Sequence, residues 1–254
     1  MALSELQKNT RKRLTFHLEK REIRTAHLQV GLACDVSGST HDIWGNGSMQ
    51  MLMDRVFPIA ERFDDNGQMD IRAFSDRAYE LPDMTRDNFS DYARRYVIGN
   101  HDIHWGGTIY ESALRSFVDE WFSPRAVTSQ KTVERRGIGK MLFGKTKIVE
   151  QTKVESRKHQ PSYIVFNTDG VAHDTDETMR FLSDESQKGR IFISFIGVGN
   201  PKYFDFLRHC AELFPNVDFM DFADLSKMSD DSLYEGLISD KLARFLKDGV
   251  HIED

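Results

Sequence analysis

Short apolar runs alternate along the chain with stretches whose apolar positions recur at helical spacing. The run HLQVGLAC, from His27 to Cys34, ends at an aspartate and predicts a strand buried on both faces. A helix is expected over Ser48 to Phe63. The alternating QMDIRAF segment from Gln68 to Phe74 predicts a strand with a short edge partner at Ala78 to Leu81. Helices are expected from Asp87 to Val97 and from Ile109 to Phe122, the second with Leu114, Phe117, Val118 and Trp121 on one face. Further on, strands are read at Tyr163 to Phe166, Ile191 to Gly197 and Val217 to Met220. Helices near Asp176 to Gln187, Pro201 to Leu213 and Ser232 to Lys247 follow them. Such regular alternation predicts an α/β fold, a doubly wound and mostly parallel sheet sandwiched by helices in three layers. Ahead of it, in residues 1–26, Leu3, Leu6, Leu14, Phe16 and Leu18 loosely share a helical face, so an N-terminal amphipathic helix packed on the domain is expected.

Composition narrows the class. Hydrophobic residues make up 39% of the 254 positions and aromatics 11%, enough to bury a core, and the net charge of -6 excludes a globally basic nucleic-acid binder. That net charge conceals a basic segment. Between Pro124 and Gln160 ten Lys and Arg face only three Glu, giving +7 there and -13 elsewhere. Its Gly-punctuated middle, RRGIGKMLFGKTK, keeps neither period, while Thr146 to Val154 alternates as a ribbon strand would. Residues 124–160 therefore read as a basic insertion within one domain spanning 27–254. Lys140, Met141, Leu142, Phe143 and Lys145 are its candidate partner-binding residues, cations flanking an apolar anchor, for acidic protein, nucleic acid or peripheral contact with an anionic membrane. Two cysteines, Cys34 and Cys210, are too few for a disulfide framework or a thiolate zinc site and read as buried thiols. No window has the length of apolar sequence a membrane span needs and no secretory leader is visible, so a cytoplasmic protein is expected.

In a doubly wound sheet, ligands bind where loops leave the strand C-termini at the point where strand order reverses. Three such loops carry oxygen donors. The first strand runs into Asp35-Val36-Ser37-Gly38-Ser39, whose alternate residues are one carboxylate and two hydroxyls. His104-Trp105-Gly106-Gly107-Thr108 places the Thr108 hydroxyl at the start of a helix. Asn167-Thr168-Asp169-Gly170 follows the YIVF strand with a second carboxylate. Oxygen-only donors with two carboxylates suit Mg²⁺, or Mn²⁺ as the other candidate, over zinc. His41, His104 and His173 lie near these loops but read as polar loop residues. Asp174 and Asp176 read as a helix cap, and Asp64-Asp65-Asn66-Gly67 as a turn.

Asp35-x-Ser37-x-Ser39, Thr108 in a Gly-Gly-Thr loop and Asp169 in Thr-Asp-Gly, in this order, resemble the metal-ion-dependent adhesion site (MIDAS) of von Willebrand factor A (vWA) domains, over about His27 to Phe245. The runs YIVFNTDG, IFISFIGVG, KYFDFLRHCAELFPNVDFMDF and MSDDSLYEGLISDKLARFL are similar to the A domain of tellurium-resistance TerF-type proteins. The resemblance implies direct ligation by Ser37, Ser39 and Thr108, with Asp35 and Asp169 acting largely through water. An acidic group of a protein partner would complete the coordination. It also implies a binding function without catalytic residues, in a bacterial or phage tellurite and stress-response setting. The alternative is a Mg²⁺-dependent hydrolase or phosphoryl-transfer enzyme, since an open metal position polarises a phosphoryl oxygen. Against it, Ser37 stands where aspartyl-phosphate enzymes place a second Asp, and no lysine partner can be nominated. A third reading, RNA binding in a ring-shaped ribonucleoprotein, finds no repeat ring here and an acidic body.

Overall fold

The computed structural model describes residues 5–23, 27–123, 125–134, 146–155 and 160–248, with the segments 125–134 and 146–155 described through their backbone. Strands β1 (Gln29–Asp35), β2 (Met69–Phe74), β3 (Ala78–Met84), β6 (Ser162–Thr168), β7 (Ile191–Val198) and β8 (Val217–Phe222) form one sheet in the order β3-β2-β1-β6-β7-β8. β3 runs antiparallel to β2, and every other neighbouring pair is parallel. From β1 the chain winds outward to β2 and β3; from β6 it winds the other way to β7 and β8. The order therefore reverses between β1 and β6, whose register pairs Cys34 with Asn167 near their C-terminal ends. In doubly wound sheets ligands bind outside the strand C-termini at such a junction.

The helices, numbered in chain order, are α1 (Glu5–Lys20), α2 (His41–Gly45), α3 (Ser48–Phe63), α4 (Tyr92–Tyr96), α5 (Tyr110–Phe122), α6 (Thr175–Lys188), α7 (Asp205–Leu213), α8 (Asp230–Leu237) and α9 (Asp240–Asp248). One core joins Leu52, Met53, Val56 and Phe57 of α3 to Val30 and Leu32 of β1 and to Leu237 and Leu242 of α8 and α9. A second, aromatic cluster stacks Phe166 against Phe74 at 4.5 Å, Tyr110 at 5.0 Å and Phe195 at 5.1 Å between ring centroids. Such offset and edge-on pairs add to the gain from burial alone. Among the described residues no helix is long and apolar enough to cross a membrane. Both cysteines are free and buried, and burial raises both thiols, Cys210 to about 12.

In β2 a charged residue is covered: Arg72 is 2% exposed, its Nε donates to Ser116 Oγ at 2.8 Å and its guanidinium lies 5.0 Å from the Phe117 ring centroid. Its Nη1 donates to Ile71 O at 3.1 Å, so the covered guanidinium has hydrogen-bond acceptors as well as an aromatic face. Several sequence expectations need correction. The helix expected at Asp87 to Val97 breaks into a 3-10 turn at Phe89–Asp91 followed by α4. There the Gln50 amide donates to Phe89 O (2.6 Å) and accepts from Ala93 N (2.8 Å), replacing helical bonds. The helix expected at Pro201 to Leu213 likewise opens as a 3-10 turn before α7, with the Asn200 side chain accepting from Lys202 N. The last expected helix is two, because Ser239 Oγ accepts from Leu242 N at 3.1 Å and starts α9 anew. Phe16, placed on the apolar face of the first helix, is 55% exposed.

Two compact units separate, residues 1–117 with 160–254, and residues 118–159. The second contains a strand that periodicity did not reveal. β4 (Arg125–Glu134) pairs antiparallel with β5 (Thr146–Glu155), from Arg125 opposite Glu155 to Glu134 opposite Thr146. The partner-binding candidates Lys140, Met141, Leu142, Phe143 and Lys145 lie outside the described residues.

α1 rests on α3 and α8 through Leu14 and Leu18, each 3% exposed. A charged seam borders them: Thr10 Oγ1 donates to Asp230 at 2.8 Å, Arg21 to Glu235 at 2.8 Å and Lys20 to Glu235 at 3.0 Å, while Arg55 pairs with Asp230 at 2.7 Å. Hydrogen bonds from Lys20 and then Arg21 hold the Glu235 carboxyl down at about 2. A carboxyl lowered on folding stabilises fully above its unfolded value near 4.3, and the contribution is lost as pH falls toward 2. Leu18→Ala should cost about 2–5 kcal/mol in urea unfolding. Glu235→Gln should flatten the drop in melting temperature between pH 5 and 2.5 relative to the wild type; an unchanged drop would detach Glu235 from the acid sensitivity.

Candidate metal centre

The C-terminus of β1 carries Asp35 into a turn that is fixed from several sides. Val36 N–H donates to Phe74 O at 2.8 Å, the Trp44 indole N–H donates to Asp35 O at 2.8 Å, and Thr40 Oγ1 donates to Ser37 O at 2.8 Å. The Asp35 carboxylate is fully buried. It accepts Ser37 N–H at 2.7 Å on one oxygen and the Thr168 hydroxyl at 2.7 Å on the other. Beside it, Ser37 Oγ lies 3.1 Å from Ser39 Oγ, which donates to Asp169 Oδ1 at 2.8 Å. The structure thus gathers four of the five sequence candidates, with Asp35 reaching the others through Ser37 and Thr168.

Thr108, the fifth, is 5% exposed, and a Cβ added to Gly170 would come 3.8 Å from its Oγ1. Its loop is pinned to the neighbouring strand end, because Ser75 Oγ donates to His104 O at 2.6 Å and Ile109 N–H to Ser75 O at 2.7 Å. It is pinned to the other two loops as well, by Gly38 N–H to Gly106 O at 3.2 Å and His173 N–H to Thr108 O at 2.9 Å. Both glycines of the loop are needed for close approach. A Cβ on Gly106 would come 2.9 Å from His104 Nδ1, and one on Gly107 3.0 Å from His173 Nδ1.

Sequence reasoning missed three supports. Thr168, quoted only as part of the third loop, is the hydroxyl that orients Asp35. Tyr110, a core ring, donates its hydroxyl to Gly170 O at 2.7 Å, with Thr168 Oγ1 3.1 Å away. Asp174 is the N-cap residue of α6, as read, and its carboxylate also accepts Tyr110 N–H (3.0 Å) and Glu111 N–H (2.7 Å), so it caps α5 too. A Gly-Gly-Thr loop opening a helix without its own Ser, Asp or Asn cap was the available signal.

Burial dominates the electrostatics. It pushes Asp35 up to about 6 against the lowering effect of its hydrogen bonds, and it raises Asp169 as well. Among the described residues no cationic side chain contributes to either shift, and the three loops contain no Lys or Arg. Nor do three His, Cys, Asp or Glu side chains converge anywhere among the described residues. The donor set fits a hard divalent cation. Adjacent ligands of an octahedral ion at 2.0–2.1 Å stand about 2.9 Å apart, close to the 3.1 Å between Ser37 and Ser39 and the 2.8 Å between Ser39 and Asp169. Of the nearby histidines, His41 stacks on Trp105 and His104 Nδ1 lies 3.2 Å from Asp76.

A reversal point in a doubly wound sheet, bearing two carboxylates and three hydroxyls on three loops, defines a vWA-type fold with the residues of a MIDAS. The vWA-TerF-like family model, which describes the vWA found in the TerF C terminus, matches residues 27–249, and the chain belongs to that family. It is 26% identical over 244 residues to the uncharacterized protein YcbR of Bacillus subtilis (strain 168), covering 94% of this chain and 85% of that one. A von Willebrand factor type A structure from Catenulispora acidiphila matches with a TM-score of 0.51 at 13% identity, over 86% of this chain and 43% of that chain. Proximal thread matrix protein 1 of the mussel byssus, solved with a zinc-occupied MIDAS motif, matches with a TM-score of 0.48 at 17% identity, over 86% and 46%. The chain spans under half the length of these two solved structures.

Asp174→Ala should remove both N–H acceptors at the start of α5 and cost about 1–2 kcal/mol in urea unfolding. Asp174→Asn should recover part of that loss. Equal stability of Asp174→Ala and the wild type would show that the cap is dispensable.

Proposed function

We propose that the chain is a non-enzymatic interaction module that holds Mg²⁺, or Mn²⁺, at its loop crest and captures an acidic side chain of a partner protein through it. The observation that carries this reading is Asp35: a fully buried carboxylate that only neutral donors compensate. A charge buried on those terms is costly to the fold and calls for a cation. Ser37, Ser39 and Thr108 would hold the ion directly. Asp35 and Asp169 would orient those hydroxyls and bound water, as Asp169 already does for Ser39. The ion supplies an open coordination position that an external carboxylate completes. Membership of the TerF-like family supports a cytoplasmic bacterial or phage-borne setting in tellurite and stress response, and the basic segment 124–160 supports a further contact with acidic protein or an anionic membrane surface.

Calorimetric titration of Mg²⁺ and Mn²⁺ into chelator-treated protein should give saturable binding. Asp35→Ala should abolish it and Thr108→Ala should weaken it about tenfold or more. In chelator, Asp35→Asn should melt at or above the wild-type temperature, because it removes an uncompensated charge. Added Mg²⁺ should raise the melting temperature of the wild type alone. A wild type that takes up no metal would overturn the reading.

A further inference from the structure

The rim of the crest has a character that the metal reading does not use. His41, two residues beyond Ser39, lies flat on Trp105, three residues before Thr108, with ring centroids 4.1 Å apart and 19° between planes. His41 is exposed and Trp105 half-buried, so the imidazole leaves its outer face to solvent. Behind them Trp44 meets Trp105 edge-on at 6.2 Å and ties its own N–H to Asp35 O. The stack is thus built from two of the metal-bearing loops and is tied, through Trp44, to the backbone carbonyl of Asp35. On the third loop, two residues past Asp169, Val171 is 49% exposed. The loops 35–41, 104–111 and 167–174 hold Asp35, Glu111, Asp169 and Asp174 and not one Lys or Arg.

From this we infer that the partner presents a single acidic residue directly beside an aromatic one, the carboxylate going to the metal and the ring to the His41–Trp105 stack. The inference rests on the metal reading and adds the identity of the partner motif to it. A polyacidic tract does not fit: past the one carboxylate that meets the ion, further acids face three loops that hold four carboxylates and no Lys or Arg. An aromatic neighbour does fit, since an offset or edge-on ring pair is favourable and a flat, already ordered stack loses little entropy on contact.

The test uses the full chain loaded with Mg²⁺ and four short capped peptides, Gly-Glu-Phe-Gly, Gly-Phe-Glu-Gly, Gly-Glu-Ser-Gly and Gly-Glu-Glu-Gly. Binding is followed by calorimetry, with metal uptake titrated separately. One of the two Phe peptides should bind about two- to tenfold more tightly than the Ser and Glu peptides, the range a ring pair provides. That preference should vanish in His41→Ala, an exposed position, and in Trp105→Leu, with metal affinity and melting temperature of His41→Ala unchanged. Metal uptake with equal binding of all four peptides, with no peptide binding, or with a preference that survives His41→Ala, overturns the inference alone. Failure of metal uptake removes the reading beneath it and the inference together.

Discussion

The structure turns on a carboxylate at the C-terminus of its central strand. Asp35 ends β1 where the strand order reverses, fully enclosed, and receives one backbone N–H and one hydroxyl. Those bonds favour the ionised form, and burial outweighs them, since its pKa stands at about 6. Moving such a group out of water costs several kcal/mol unless a charge of opposite sign is supplied. A fold selected for stability alone would place a small apolar residue here. Retaining an acid at this position is intelligible if the missing charge arrives from outside.

Precision at the site comes from the core as much as from the loops. Tyr110 packs its ring against Phe166 and Phe74, yet its hydroxyl holds Gly170 O beside Thr168, the residue that donates to Asp35. A displacement of the aromatic cluster would therefore be felt at the carboxylate two hydrogen bonds away. Asp174 performs the complementary task, joining the loop after β6 to the start of α5 through two backbone N–H groups. The loops need few bonds to a metal to be ordered, because strands and helix ends already order them.

The parts legible in the sequence are those set by local period. β7, buried along its whole length, reads as a continuous apolar run, and α3 shows a helical apolar face over the same residues the structure assigns, Ser48–Phe63. The donor residues were legible because strand ends and turn residues are short-range features. What escaped depended on partners distant in sequence. Arg72 is covered by Ser116 and Phe117, to which no local pattern points. The break before α4 is made by Gln50, about forty positions upstream, satisfying backbone groups that a helix would otherwise have used. β4 has no clear alternation of apolar and polar residues, and only its pairing with β5 identifies it as a strand. Asp174 stands at the N-cap of α6, as a cap reading expects, and its carboxylate reaches the first N–H groups of α5 as well, a partner that type and position do not reveal.

Charge arithmetic bears on how a partner is chosen. Outside residues 124–160 the chain carries -13, and the three crest loops add four carboxylates and no Lys or Arg. An approaching acidic group meets an unfavourable field at distances beyond the Debye length of about 8 Å only weakly, and more strongly as it closes. On the proposed reading, short-range bonding to an ion would have to overcome that repulsion, so metal occupancy, rather than electrostatic steering, would decide whether the contact forms. The cations that would steer lie in another stretch, residues 124–160, with ten Lys and Arg against three Glu. On the proposed reading, long-range attraction and short-range capture would then fall to different stretches of the chain. A partner held at the crest would be selected by what stands next to its carboxylate, since the three loops offer rings and an exposed valine and no Lys or Arg.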